Sequence, residues 1–465
     1  MHSIEIVTFD TPSLGDRSYL VHDGATGVVI DPQRDVDRVL AAVEEAAVEV
    51  THVLETHVHN DYVSGGLELS RTVGAHYGLA AAEEVRFDRL PIEDGDDIVS
   101  GKVALRAVHT PGHTPTHLSY LLVHDDEAVA GFTGGSLLYG AVGRPDLISP
   151  DLTRQLAVAQ YRSVRTLADQ LRDDAAIHPT HGFGSHCASV TDAILRDGTV
   201  ADERGRNPAL VLPEDRFVEE LLAGLHPYPA YYAHMGPANA DGPAPVDLSP
   251  PRPLDAAAVR EHLAAGHWAV DLRTRRAYAA DHVRGTVNVE LRDDLPTYLG
   301  WVLPWNTPVV LLGETDSDVA EAQRLLARIG LDRPAGAATG GPDRWAEDPA
   351  AHRSWQVAGW DDVATARRAE RPVVILDTRE RWEFESGHHP AAIHIPFYEL
   401  PDRIDELPDG ELWIYCATGN RATVAASLLA NAGHEVVLVD DFCLPGDRPG
   451  AEEEHSAATA ASGGS

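Results

Sequence analysis

Residues 51–66 read THVLETHVHNDYVSGG. A β-branched apolar run ends at Leu54, and His57, His59 and Asp61 then follow at alternate positions before a glycine pair. A short buried strand that runs into a tight turn aims alternate side chains into one pocket, and neutral imidazoles with a carboxylate suit a divalent cation. Tyr62 stands where a third histidine would close the pattern HxHxDH. The stretch reads as the strand-to-helix turn of an α/β domain whose ligands sit at strand ends.

The surrounding sequence continues this alternation. SYLVHD and TGVVIDP are strand-like runs separated by Gly24, DVDRVLAAVEEAAVEV has helical apolar spacing, and KVALRAVHTPGH, LSYLLVHDDEAVAGF and DLTRQLAVAQYRSVRTLADQL lead on to HPTHGFGSH. At 465 residues the chain has room for two or three domains, each with its own core. Its formal net charge is −36 and Lys102 is its only lysine, so its surface repels phosphate backbones and anionic headgroups. That excludes nucleic-acid binding and membrane-surface binding as functions. With no apolar run of membrane-spanning length and no signal-peptide pattern, a soluble cytoplasmic protein is expected. Three cysteines, Cys187, Cys416 and Cys443, are too few and too scattered for a disulfide framework.

Around residues 226–252, Pro, Gly, Ala and Tyr crowd together and periodicity fails, which reads as an ordered linker. Beyond it the chain repeats itself. AVDLRTRRAYAADHVRGTVNV and ILDTRERWEFESGHHPAAIHI align without gaps, setting Asp271 against Asp377, Arg273 against Arg379, Tyr278 against Phe384 and His282 against His388. The acidic, small-residue stretch 447–465 reads as a disordered tail.

Two further motifs carry chemistry. HTPGHTPTHLSYLL supplies His113 after a strand, and HPTHGFGSH supplies His181 before glycine turns, in the chain order a metal site at strand ends requires. In WIYCATGNRATVAASLLANAG a strand ends at Cys416, Arg421 follows five residues later, and an apolar helical run begins at once. Such a loop wraps backbone N–H groups around a sulfur at a helix N-terminus, which stabilises a thiolate or persulfide anion. The first repeat has Gly313 at the corresponding place and no nucleophile.

The ordered set VVIDPQRDVD, THVLETHVHNDYVSGG, HTPGHTPTHLSYLL, FTGGSLLYGAVGRPDL and HPTHGFGS resembles the metallo-β-lactamase fold, and within it the persulfide dioxygenases fused to rhodanese domains. CATGNR resembles the rhodanese active-site loop CxxGxR. The resemblance implies an α/β chain: a metallo-β-lactamase αββα sandwich at 1–225, a linker at 226–252, a rhodanese-like domain without its cysteine at 253–350 and a rhodanese domain at 351–446. Persulfide dioxygenases of this kind hold one ferrous ion through two histidines and an aspartate. Carried over, the histidines are His57 and His113, and a single-metal site does not need a histidine at position 62. The family pattern FTGD reads FTGG here, so Gly135 stands where the aspartate is expected.

Three readings of the third ligand stay open: His59 turns inward to complete a three-histidine site; Asp61 or a water takes the carboxylate's place, with His181 a further candidate; or no metal binds. Iron(II) is the expected cofactor, with zinc as its alternative. The resemblance places Arg144 at the pocket mouth as a clamp for a substrate carboxylate; on the residues alone, a loop buttress paired with Asp146 is an equal reading. It also makes Cys416 the sulfur-accepting nucleophile, with Arg421 closing the loop and Gly419 among the substrate-contacting positions. The expected partners are a small thiol persulfide, sulfite or thiosulfate, and possible pairing into a homodimer is in keeping with the related fold. The expected function is oxidation of a persulfide to sulfite coupled to transfer of sulfane sulfur. The alternative is a sulfurtransferase or sulfur carrier with a non-catalytic first domain. Hydrolysis by two zinc ions is disfavoured, because Tyr62 and Gly135 remove second-site and bridging ligands together.

Overall fold

A computed structural model describes residues 4–189, 197–369 and 373–444, together with 446, 447 and 449. All of the acidic tail beyond 449 lies outside the described residues. The chain divides into two compact units, one reaching Asp247 and including Arg324–Asp332, the other comprising Leu248–Gln323 and the chain from Arg333 onward.

In the first unit, strand alternation builds two facing sheets. The six-stranded sheet runs in chain order through Glu5–Thr11, Asp16–His22, Thr26–Ile30, Glu49–Leu54, His76–Ala80 and Leu90–Ile92, antiparallel at first and parallel from the third strand on. The five-stranded sheet is ordered Leu171–Pro179, Glu127–Gly134, Leu118–His124, Val103–His109, Asp97–Ser100. Because successive side chains point to opposite faces, Tyr19, Val21, Val28, Ile30 and Leu54 meet Leu105, Tyr120, Leu122 and Phe132 between the sheets. Their neighbours Leu20, Val29 and Val53 face outward under helices Asp37–Ala46 and Gly66–Val73. Helix Thr153–Gln170 covers the other sheet through Ala157, Val164, Leu167 and Ala168. The result is the αββα sandwich expected from the sequence.

One element departs from the sequence reading. Residues 232–241, inside the stretch that reads as an ordered linker without periodicity, form helix Tyr232–Asp241 within the first unit, with Pro237 inside it. Proline normally signals a helix break. Here Tyr232, Met235 and Asn239 are buried, and packing outweighs the local signal.

In the second unit each repeat builds its own parallel sheet. The first is ordered Val287–Asn288, Trp268–Asp271, Val309–Gly313, Gly336–Thr339; the second is ordered Gln356–Ala358, Val436–Val439, Glu411–Tyr415, Val373–Asp377, Ala392–His394. The aligned residues make the same contacts in both. Arg273 bonds Asp271 and Arg379 bonds Asp377, each at 2.6 Å, while Tyr278 stacks on His282 as Phe384 stacks on His388. Register fixes the missing nucleophile too: Asp271 pairs with Leu312 and Asp377 with Tyr415, so Gly313 occupies the position of Cys416.

His178 gives the sandwich a pH dependence. Its ring stacks on Phe132 at 5.1 Å, and burial, helped by the charge of Arg17, pushes it down to about 4 from 6.5. The folded state refuses a proton that the unfolded chain accepts, so this contribution is complete above about pH 6.5 and is lost as pH falls towards 4. Denaturant unfolding across that window is expected to show a slope up to about 1.4 kcal/mol per pH unit steeper for the native chain than for His178→Phe.

Candidate metal centre and cysteine loop

The metal-ligand candidates collect at the ends of four strands. His57 follows Glu49–Leu54, His113 follows Val103–His109, Gly135 follows Glu127–Gly134, and His181 follows Leu171–Pro179. His57, His113 and His181 are fully buried and bring one ring nitrogen each to within 4.8 Å of the others.

Each of these rings is held from outside. The Thr56 hydroxyl donates to Asp31 at 2.7 Å, so it accepts from Nδ1–H of His57 at 2.9 Å and leaves Nε2 bare. Nδ1–H of His113 donates to the Arg144 carbonyl at 2.9 Å, and its Nε2 is buried without a partner. Nδ1–H of His181 donates to Asp16 at 2.8 Å and lies 3.1 Å from Asp61, while its Nε2 faces Nε2 of His57 at 3.3 Å. Outer hydrogen bonds of this kind fix tautomer and ring orientation in metal sites.

The charges follow from the same contacts. Burial, then the neighbouring imidazoles, hold His57 well below its usual range. His113 is held to about 3, chiefly by burial and the charge of His181. Burial also works against a charge on His181, but Asp61 and Asp16 raise it to about 10.

His59, the expected third imidazole, is held elsewhere. Its Nε2 lies 3.1 Å from Glu55 and 3.3 Å from Asp31, and its ring stacks on Tyr62 at 4.3 Å. Burial opposes its charge, but those two carboxylates raise it to about 9. It is drawn into clusters with Asp31 and Glu55 and with Asp61 and His181, not into the group of His57 and His113. Among the described residues, the nitrogen grouped with those of His57 and His113 is that of His181, while the His59 ring, expected to join them, lies 4.1 Å from that of His57 with its Nε2 turned to the carboxylates. Asp61 bonds Ser185 and His181 through Oδ2, and its buried Oδ1 is unpartnered.

Gly135 is flush against the metal group. A β-carbon there would lie 2.3 Å from Cδ2 of His113, and one at Gly143 would lie 2.8 Å from Nδ1. The His113 ring therefore fills the room a residue-135 carboxylate would need. The N–H of Gly135 donates to Nε2 of His117 at 2.9 Å, which uses that nitrogen and sets His117 outside the ligand group.

Arg144 makes the contacts of a buttress. Its guanidinium bonds Asp146 twice, at 2.7 and 2.8 Å, and the carbonyls of His186 and His226, committing four of its N–H groups. Cys187 is buried beside Asp61, and burial, then that carboxylate, push its thiol well up. The sequence reading missed Asn239, whose side chain donates to the carbonyls of His59 and Tyr62 and accepts from Ser64 N–H, each at 2.8 Å.

In the second unit Cys416 ends strand Glu411–Tyr415 and is buried. Gly419, at φ +92°, donates its N–H to the Cys416 sulfur at 3.1 Å and caps helix Asn420–Asn431. Arg421 forms a two-pronged pair with Glu383, one arm at 2.9 Å. Cys443 is a packed core residue whose thiol is pushed up to about 12, mainly by burial.

A metallo-β-lactamase superfamily model matches residues 16–181, and a rhodanese-like domain model matches 255–348 and 361–442. The class is thus a metallo-β-lactamase-fold domain joined to tandem rhodanese-like domains. The chain is 31% identical over 229 residues to persulfide dioxygenase ETHE1, mitochondrial, of Homo sapiens, covering 49% of this chain and 81% of that protein. The chain belongs to the persulfide dioxygenase family. It is also 35% identical over 170 residues to a hydroxyacylglutathione hydrolase of Cereibacter sphaeroides, covering 36% of this chain and 62% of that one. A crystal structure of a metallo-beta-lactamase from Staphylococcus aureus subsp. aureus COL aligns with a TM-score of 0.65 at 26% identity, covering 73% of this chain and 99% of that chain. Together these likenesses support an enzyme of sulfur metabolism acting on small sulfur compounds. No helix among the described residues is long and apolar enough to cross a membrane.

Two substitutions test the geometry. Gly135→Ala should destabilise the chain by about 1–3 kcal/mol through overpacking against His113. Gly135→Asp should bind less metal than the native chain, measured by elemental analysis after dialysis; a gain in metal would mean that the His113 ring yields. Asn239→Ala leaves two loop carbonyls and an N–H unpaired and should lower stability by about 2–3 kcal/mol in denaturant titration.

Proposed function

We propose that the first unit oxidises the terminal sulfur of a low-molecular-weight thiol persulfide to sulfite at a single metal ion, and that Cys416 carries sulfane sulfur. The observation that carries the first part is the set of three buried imidazoles, each locked through its outer nitrogen, with the Nε2 of His113 unpartnered. This donor set fits a divalent cation, and imidazole suits iron among the transition metals. His57, His113 and His181 would hold the ion, leaving positions open in the absence of the family's aspartate. Bound there, ferrous iron supplies activation of dioxygen and a site for the persulfide sulfur.

The chain's own residues do the rest. Thr56, the Arg144 carbonyl and Asp16 keep the three rings in place. Asp61, with Oδ1 unpartnered and Oδ2 3.1 Å from Nδ1 of His181, is held ionised by the surrounding imidazoles and keeps a negative charge beside that ring. The sum is one persulfide, one dioxygen and one water giving one thiol, one sulfite and two protons.

At Cys416 a thiolate attacks the outer sulfur of thiosulfate. A cysteine persulfide forms, the sulfur–sulfur bond to the sulfonate breaks, and sulfite leaves with the electron pair. The Gly419 N–H, 3.1 Å from the sulfur, stabilises the anion, and a thiol acceptor then takes the outer sulfur.

Loading the purified chain with ferrous iron under nitrogen and supplying a thiol persulfide with oxygen tests both parts. About one sulfite per dioxygen consumed is the expected yield. His181→Ala should lower iron affinity by at least about ten-fold, and His59→Gln by less. Loss on His59→Gln with retention on His181→Ala would reverse the ligand assignment. Cys416→Ser should abolish thiosulfate-to-cyanide transfer and leave oxygen uptake intact. A chain that holds no iron and consumes no oxygen, yet transfers sulfur through Cys416, would establish the alternative, a sulfurtransferase with a non-catalytic first unit.

A further inference from the structure

The repeat that lacks a nucleophile reaches into the loop of the repeat that has one. Arg275 opens helix Arg275–Ala280 of the first repeat. Its Nε donates to Asp440 at 2.6 Å, just past strand Val436–Val439, and its Nη1 bonds Glu290 at 3.0 Å and the side-chain oxygen of Asn420 at 3.3 Å. The guanidinium is thereby fixed over Gly419. A β-carbon at that glycine would lie 2.4 Å from Nε of Arg275 and 2.6 Å from the Asp440 carboxylate.

Gly419 is the residue whose N–H points at the Cys416 sulfur. Glycine is the most conformationally free residue, and nothing in its own structure holds that N–H on the sulfur. The loop therefore depends on what lies over it. The first repeat also fastens the helix behind the loop: Thr423 donates to Asn288 at 2.8 Å, Asn288 N–H donates to Ser427 at 3.0 Å, and Asn431 donates to the Thr286 carbonyl at 3.0 Å. Arg276 is a built-in comparison. It bonds the other oxygen of Asp440 at 2.6 Å but is exposed and has no bond to the loop.

We propose that Arg275 is a positioning residue for sulfur transfer: the cysteine-free repeat completes its neighbour's active loop by locking Gly419 with its N–H on the Cys416 sulfur. This rests on the reading of Cys416 as a sulfur carrier. Arg275 does not touch the reacting atoms; it acts through Gly419 and Asn420. Because Arg276 still holds Asp440 when Arg275 is removed, the variant keeps a tie between the repeats.

The test compares full-length native, Arg275→Ala and Arg276→Ala chains by thiosulfate-to-cyanide turnover and by deuterium uptake of the Cys416–Arg421 backbone. Arg275→Ala should lower kcat about ten-fold to a hundred-fold, as small misplacements of a reacting group do, with KM for thiosulfate within about two-fold of native. Exchange in the loop should rise while strand Glu411–Tyr415 is unchanged, and Arg276→Ala should match the native chain in both measurements. Native turnover and native loop exchange in Arg275→Ala would overturn the proposal, as would an equal loss in Arg276→Ala. If the native chain transfers no sulfur, the reading of Cys416 fails on its own. Loop exchange then decides the role of Arg275, faster exchange in Arg275→Ala upholding it and unchanged exchange refuting it.

Discussion

The buried carboxylate of Asp31 is the joint on which the metal centre depends. It follows strand Thr26–Ile30, takes a left-handed backbone at φ +51°, and accepts from the Thr56 N–H and hydroxyl, each at 2.7 Å, and from the Thr180 hydroxyl. Thr56 continues a strand of the first sheet and Thr180 a strand of the second, so one carboxylate ties the ends of both sheets. Burial alone would raise its pKa, but His59 and these donors bring it down to about 2. A buried charge is tolerable only when its lone pairs are filled, and here they are. The Thr56 hydroxyl that donates to Asp31 is the one that sets the His57 tautomer, so the same bond links the packing of the sandwich to the histidine that opens the candidate metal loop.

That joint also explains Tyr62 and His59. With His59 drawn towards Asp31 and Glu55, the ring of Tyr62 lies flat on it, and the Tyr62 hydroxyl returns to the Asp31 carbonyl at 3.3 Å. The loop HVHNDY thus divides its side chains between two tasks. His57 faces the imidazole group, while His59 and Tyr62 stack as a buried layer behind it. Nε2 of His59 is taken up by Glu55 and Asp31, whereas Nε2 of His113 is buried without a partner.

Much of this was legible in the sequence because it is local. Strand alternation gave the two sheets, histidines at strand ends gave most of the pocket, and the aligned Asp271/Asp377 and Arg273/Arg379 pairs exposed the repeat. What was not legible lies in contacts across long separations. His181 meets His57 across 124 residues and Asp16 across 165, so chain order could make it a candidate but could not rank it above His59. Helix Tyr232–Asp241 was hidden by Pro237, and with it the hold of Asn239 on the metal loop. The turn of His59 did have a local signal: Glu55 stands four residues before it, just past strand Glu49–Leu54.

Gly135 changes meaning once His113 is seen against it. As a missing ligand it marks a loss, but the ring of His113 packs where a side chain at 135 would begin, between Gly135 and Gly143. The glycine, the ring and the Arg144 carbonyl that orients the ring form one packing unit, and Arg144 is itself pinned by Asp146. Removing a carboxylate from a two-histidine, one-carboxylate site takes away one negative charge next to the cation. Asp61, in contact with His181, places a negative charge behind that ring, while Asp16, raised to about 7 by burial and by Asp61, shares the same imidazole. Under the proposed ligand assignment, those acids would act on a bound cation through the imidazole of His181.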